Sequence, residues 1–231
     1  MKLILTCEHG GNQIPTEYKS YFKGFESELN SHRGFDIGAL DVFQYLKPLS
    51  HFSLHSETSR LLIELNRSLH HRNLFSEFSK KLPKSNKKDL IKNYYSNYRT
   101  AVQQAIQKRI KNKETVLHIS IHSFTPVLKN IERNCDIGIL YDSRIPKETI
   151  FSKDLKQSIT KINPKLKVRF NYPYLGKMDG FTTYLRKQFK SNYLGIELEI
   201  NQKFATNNQM NDAIKNCLYK AIAKISDREL L

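Results

Sequence analysis

Residues 115–123 read Thr-Val-Leu-His-Ile-Ser-Ile-His-Ser. Strict alternation puts Leu117, Ile119 and Ile121 on one face and His118, Ser120 and His122 on the other, which predicts a buried β-strand with His122 at its exit. Working outward, apolar runs rich in β-branched residues at 2–6, 61–65, 136–141, 167–171 and 193–200 read as further strands. Between them lie helical patterns. Residues 36–46 place Ile37, Leu40, Phe43 and Leu46 on one stripe, and residues 87–111 do the same with Leu90, Tyr94, Tyr98, Val102, Ala105 and Ile106. Residues 151–162, 180–190 and 209–225 also have helical character. Strands alternating with helices of this length predict an α/β three-layer sandwich around a central mixed, largely parallel sheet. The charged stretch 80–88, KKLPKSNKK, reads as a loop inside one domain spanning 1–231.

With 231 residues, 39% hydrophobic and 26% charged, the chain has the composition of a globular protein rather than a disordered or fibrous one. The three cysteines, Cys7, Cys135 and Cys217, are far apart and odd in number, which excludes a disulfide scaffold and fits a reducing cytoplasm. Residues 1–7, MKLILTC, are too short for a secretory apolar region, and no run approaches the length of a membrane span. The net charge of +16 suggests an anionic partner, but the excess is mostly lysine dispersed over helix-like segments, where charge usually belongs to a solvated face.

Reactive residue types gather at strand ends. The first strand runs into Cys7-Glu8-His9-Gly10-Gly11, so His9 stands at a carboxyl end, where α/β proteins build their sites. His122 leaves its strand in the same way. In Gly195-Ile196-Glu197-Leu198-Glu199-Ile200, Glu197 and Glu199 share one face of an apolar strand, and buried carboxylates need partners. Any one of these has a structural explanation, a hydrogen-bonded histidine or an ion-paired glutamate. Together with Asp36, which directly precedes a helix in His32-Arg33-Gly34-Phe35-Asp36, they supply the nitrogen and oxygen donors of a zinc site with an open position.

Seven segments, CEHGGNQIP (7–15), HRGFDIGA (32–39), SRLLIELNR (59–67), SIHSFTP (120–126), RNCDIGILYD (133–142), NYPYLGKMDGFT (171–182) and GIELEINQ (195–202), occur in order over most of the chain. In combination they resemble the N-formylglutamate amidohydrolases, amide hydrolases similar to the zinc carboxypeptidase and aspartoacylase group. The resemblance implies a phosphorylase/hydrolase-like fold as in zinc carboxypeptidases, and one Zn²⁺ per chain held by His9, Asp36 and His122. The peptidases take their acidic ligand three residues after the first histidine. That position is Asn12 here, and Asp36 answers instead to the family's acidic position before the helix. The implied reaction is cleavage of an N-formyl or N-acyl amino acid by a zinc-activated water.

In that scheme Glu197 is the preferred base, with Glu199 able to replace it or to bind substrate, and Arg60 stabilises the oxyanion. Asn66 and Arg67 resemble the carboxylate-binding pair of the peptidases, and Arg133 or Arg186 is available for a second carboxylate. Two competing readings stay open. A serine or cysteine hydrolase would use Cys7 with His9 or Ser123 with His122, but no G-x-S-x-G elbow is present. A basic nucleic-acid-binding domain without catalysis would use the charge with Tyr94, Tyr95 and Tyr98, whose helical spacing is equally that of a core stripe. The expected partner is therefore a small N-acyl amino acid, not a membrane, with nucleic acid disfavoured and the oligomeric state open.

Overall fold

A computed structural model describes residues 1–226; the last five residues of the single-domain assignment, 227–231, lie outside the described residues. Six strands form the central sheet: β1 (Lys2–Cys7), β2 (Phe52–His55), β3 (Val116–Phe124), β4 (Ile137–Leu140), β5 (Val168–Phe170) and β6 (Tyr193–Asn201). Their spatial order is β2-β1-β3-β6-β4-β5. Every neighbouring pair is parallel except β6 with β4, which is antiparallel, so the sheet is mixed and largely parallel. Helices cover both faces, giving the three-layer sandwich. The longer ones are α1 (Ala39–Leu46), α2 (Asn97–Lys111), α3 (Pro146–Ile162), α4 (Phe181–Gln188) and α5 (Asp212–Ser226). Among the described residues no helix is long and apolar enough to cross a membrane.

The two faces have different chemistry because the pleat separates alternate residues. One face is apolar along its length: Leu3 and Leu5 of β1, Ile119 and Ile121 of β3, and Ile196, Leu198 and Ile200 of β6 are all buried against α1, α3 and α5. Helix α1 meets this face with Ala39, Val42, Phe43 and Leu46, spaced for one stripe of a helix. The opposite face is apolar only toward the strand starts, where Ile4, Val116 and Tyr193 pack under Val102 and Ile106 of α2 and Phe181 and Leu185 of α4. Toward the strand exits it becomes polar, and Thr6, Ser120, His122, Glu197 and Glu199 are buried there.

Two expectations are corrected. Residues 61–65 are not a strand: Arg60–Leu62 turn, and the backbone bonds to irregular partners, Leu62 N to Ser59 O at 2.9 Å and Glu64 N to Leu74 O at 2.9 Å. The run is apolar because Leu61, Leu62, Ile63 and Leu65 plug the second core, and an apolar run that is buried on all sides need not be sheet. The stretch 80–88 is not a plain loop either, since it contributes a 3-10 turn at Ser79–Lys81 and a helix at Lys84–Leu90.

Candidate metal centre and adjoining cavity

Glycines after β1 bring the first site residues together. Gly10 N bonds to Ser56 O at 2.9 Å, and a Cβ on Gly11 would lie 2.7 Å from Glu57 O, so the chain turns back close against the strand exit after β2. Asp36 N then donates to His9 O at 2.9 Å, which fixes Asp36 beside His9. From β3, His122 reaches the same point. Its Nδ1 is 2.9 Å from Asp36 Oδ2, and His9 Nδ1 is 3.4 Å from that same oxygen. One donor atom from each of the three residues lies within 4.8 Å of the others, and all three side chains are buried.

The far nitrogens decide what those near atoms are. His9 Nε2 is hydrogen-bonded to Glu64 Oε1. His122 Nε2 is 2.8 Å from Ser120 Oγ and 3.3 Å from Glu8 Oε2, and Ser120 Oγ in turn donates to Glu8. A carboxylate only accepts, so the Nε2 of His9 carries its proton, and so does that of His122, which donates into the Ser120–Glu8 pair. When either ring is neutral its Nδ1 is then a bare lone pair. Two such lone pairs and an acceptor-only carboxylate converge on one small volume, which is unfavourable unless protons or a cation sit between them. Histidines whose second nitrogen is held by a carboxylate are the usual support of a metal ligand, and the donor set of two nitrogens and one oxygen suits Zn²⁺.

Electrostatics support a cation here. In Glu8, Asp36 and Glu64, burial alone would raise the carboxyl pKa, but neighbouring positive charge and hydrogen bonds outweigh it: His122 and Ser120 hold Glu8 down to about 2, His9, His122 and Arg60 hold Asp36 below its usual range, and Arg60 and His9 do the same for Glu64. Arg60 spans the pair, with Nε and Nη2 on Glu64 Oε2 at 3.1 and 2.7 Å and Nη1 on Asp36 Oδ1 at 3.2 Å. A single guanidinium thus faces two ionised carboxylates, Asp36 and Glu64, while Glu8 is held by Ser120 and His122. Burial lowers the pKa of both histidines, but their carboxylate partners win and raise it, in His122 most of all, so without a metal the rings would take up the balancing protons.

Beside this cluster lies a cavity of about 370 Å³, whose lining includes His9, Asp36, His122, Arg60, Asn66, Arg67, Glu197 and Glu199. Sequence reasoning named each of these residues. In register, Glu199 pairs with His122 and Glu197 with Ser120. Thr182 Oγ1 donates to Glu197 Oε1, whereas Glu199 Oε2 is buried with no hydrogen-bond partner. Burial, reinforced by the charges of Asp36 and Glu197 and opposed by His122 and Arg60, pushes Glu199 up to about 7. Asn66 Oδ1 accepts from Phe181 N at 2.7 Å, leaving its NH₂ as the end available to a ligand, and Arg67 Nη1 donates to Asp179 O.

The family whose description is N-formylglutamate amidohydrolase matches residues 1–205. The chain belongs to that family. Among solved structures, a gene product of Agrobacterium tumefaciens superposes with a TM-score of 0.78 at 24% identity, over 98% of this chain and 92% of that one. N-formylglutamate amidohydrolase from Ralstonia eutropha JMP134 gives 0.71 at 13% identity, over 98% and 91%. At such identities the likeness is one of fold. No curated protein matches the chain.

Other residues singled out in the sequence fall elsewhere. Arg133 is outside the cavity lining, stacked on Tyr174 with its guanidinium carbon 5.4 Å from the ring centre. Arg186 is buried and bound to Glu148 Oε1 at 2.8 Å and to the carbonyls of Gly176 and Gly195, each at 2.6 Å. Each of its three nitrogens is engaged by the fold and it is outside the cavity lining, so it is not placed for a substrate carboxylate. Cys7 lies in the apolar core, where burial raises its thiol pKa well above normal, and Ser123 Oγ donates to Ile37 O. Neither is arranged as a nucleophile. Sequence reasoning missed Glu8, Ser120 and Glu64 as supports. Two-residue spacing from Thr6 to Glu8 could have shown that Glu8 shares a face with the β3 histidines, whereas Glu64 was hidden in a segment read as a strand.

Proposed function

We propose that this chain hydrolyses the amide bond of an N-formyl or short N-acyl amino acid, with a zinc ion held by His9, Asp36 and His122. The observation that carries this is the convergence of two Nδ1 lone pairs and the Asp36 carboxylate beside a cavity that also presents Asn66 and Arg67. Zinc bound by three such donors lowers the pKa of a water toward 7 and polarises a carbonyl. The chain's own groups do the rest. Glu199, whose buried Oε2 has no hydrogen-bond partner and which lies across from His122 in the sheet, takes the proton of the attacking water and delivers it to the leaving amine. On these grounds we assign the base to Glu199 in preference to Glu197, whose oxygen is tied to Thr182. Arg60, fixed by Glu64 and Asp36, offers its remaining N–H groups to the oxyanion. Asn66 and Arg67 hold the α-carboxylate that every N-acyl amino acid carries beside its scissile bond.

The test is kcat/KM for an N-formyl amino acid and for its carboxamide on the native chain and on Arg67→Ala. Loss of a charge-assisted contact is worth about 1.5–3 kcal/mol, so the acid should lose roughly 10- to 150-fold and the carboxamide little. Equal losses would remove Arg67 from carboxylate recognition.

A further inference from the structure

Asn66 and Arg67, which hold the substrate carboxylate in the proposed reaction, sit on an irregular segment that belongs to no strand. The carbonyls of such backbone need donors from elsewhere when they are buried. Helix α2 supplies them. Arg99 is only 5% exposed, and its Nη1 donates to Leu65 O at 2.9 Å and to Arg67 O at 3.3 Å. Tyr95, one turn earlier, adds a bond from its hydroxyl to Arg67 O at 2.7 Å. The chain is thus gripped on both sides of Asn66. Asn66 itself is fixed by two further bonds, from its N to Glu64 Oε1 at 3.0 Å and from Phe181 N to its Oδ1 at 2.7 Å.

The surroundings of the Arg99 guanidinium are aromatic. The ring centres of Phe181, Tyr184 and Tyr95 lie 4.3, 4.6 and 4.8 Å from its central carbon, and among the described residues no carboxylate is ion-paired with it. Burial lowers its pKa, yet a guanidinium keeps its proton. Ring faces attract a desolvated cation, but three rings would pack against an aliphatic side chain as well. What the arginine adds is a planar fork of donors, which an aliphatic side chain lacks and a lysine replaces with a single tetrahedral nitrogen. That fork ends on the two carbonyls flanking Asn66, one of them Arg67's own. Arg67 needs such a base. Its side chain is long and partly exposed, bonded to Asp179 O, and a carboxylate is held in two-point geometry only when the guanidinium starts from a fixed Cα.

We propose that Arg99, which is outside the cavity lining, is a positioning residue for carboxylate recognition: it fixes the backbone from which Asn66 and Arg67 reach the substrate. This rests on the reading of Asn66 and Arg67 as the carboxylate-binding pair. The experiment measures kcat and KM for N-formylglutamate and for its α-carboxamide on the zinc-loaded native chain, Arg99→Met, Arg67→Ala and the double variant. For the acid, Arg99→Met should raise KM about tenfold with kcat within about twofold, the scale of one charge-assisted contact, while KM for the carboxamide holds. In the Arg67→Ala background the same substitution should add less than about threefold, because its effect passes through the pair. Arg99→Lys should show the same pattern at smaller amplitude, and it replaces the methionine variant if that chain does not fold. Losses that multiply in the double variant, or that fall equally on acid and carboxamide in Arg99→Met alone, overturn the inference and leave the acyl amino acid reading standing. Hydrolysis of neither substrate by the native chain overturns that reading and the inference with it.

Discussion

His9 and His122 take their roles from the groups behind them. Glu64 fixes the proton on one ring and the Ser120–Glu8 pair fixes it on the other, so both rings present the same nitrogen to Asp36. Such outer partners typically matter 10- to 100-fold in metal affinity. Glu8→Gln should therefore weaken zinc binding by about that factor while His9 and Asp36 remain in place; titration with zinc against a competing chelator measures it, and an unchanged affinity would reduce Glu8 to a buried structural group. The two glutamates of β6 differ in what holds them. Glu199→Gln should lower kcat by roughly 10²-fold or more, the range of a positioned acid–base group, with zinc retained. Glu197→Gln should do less. The reverse order would move the base two residues back, to the Glu197 that the sequence resemblance favoured.

The candidate donors His9 and His122 were legible in the sequence because each stands at the exit of an apolar strand, as in Leu117-His118-Ile119-Ser120-Ile121-His122, and Asp36 because it directly precedes a helix. What was not legible lies where periodicity is silent. Segment 61–65 is a buried turn whose apolar residues satisfy a core without sheet pairing, and β2 is a four-residue edge strand, half-buried throughout and too short to announce itself. At this scale β3 also carries a stability device. His118 is fully buried between Thr6 Oγ1 and Tyr193 OH, each 2.8 Å away. Burial, with Arg186 and His122 adding to it and Glu8 opposing, lowers its pKa from 6.5 to about 4. The unfolded chain therefore binds a proton that the folded chain refuses. Stability from this group is complete above about pH 6.5 and is lost as pH falls toward 4, by about 3 kcal/mol at most. Urea unfolding at pH 7 and pH 4.5 should show a shallower loss for His118→Gln than for the native chain. Parallel losses would assign the acid sensitivity to other groups.

Over the whole molecule a charge of +16 surrounds a cavity walled by carboxylates. Under the proposed function, dispersed lysines would raise the local concentration of anionic acyl amino acids, and the carboxylate-rich interior would retain a cation. These are separate effects with separate signatures. The field outside is screened by salt, so kcat/KM for an N-acyl amino acid should fall as ionic strength rises from about 10 to 150 mM, where the Debye length shrinks from about 30 to 8 Å, while kcat holds. A flat profile would show that the basic surface plays no part in substrate capture. The interior claim is the more central one, and metal analysis addresses it most directly. After chelation and reloading, the purified chain should bind one zinc per chain, His122→Ala should bind less than a tenth of that with its fold intact by circular dichroism, and Glu199→Gln should bind the full complement. Full zinc occupancy in a folded His122→Ala chain would contradict a centre built from His9, Asp36 and His122.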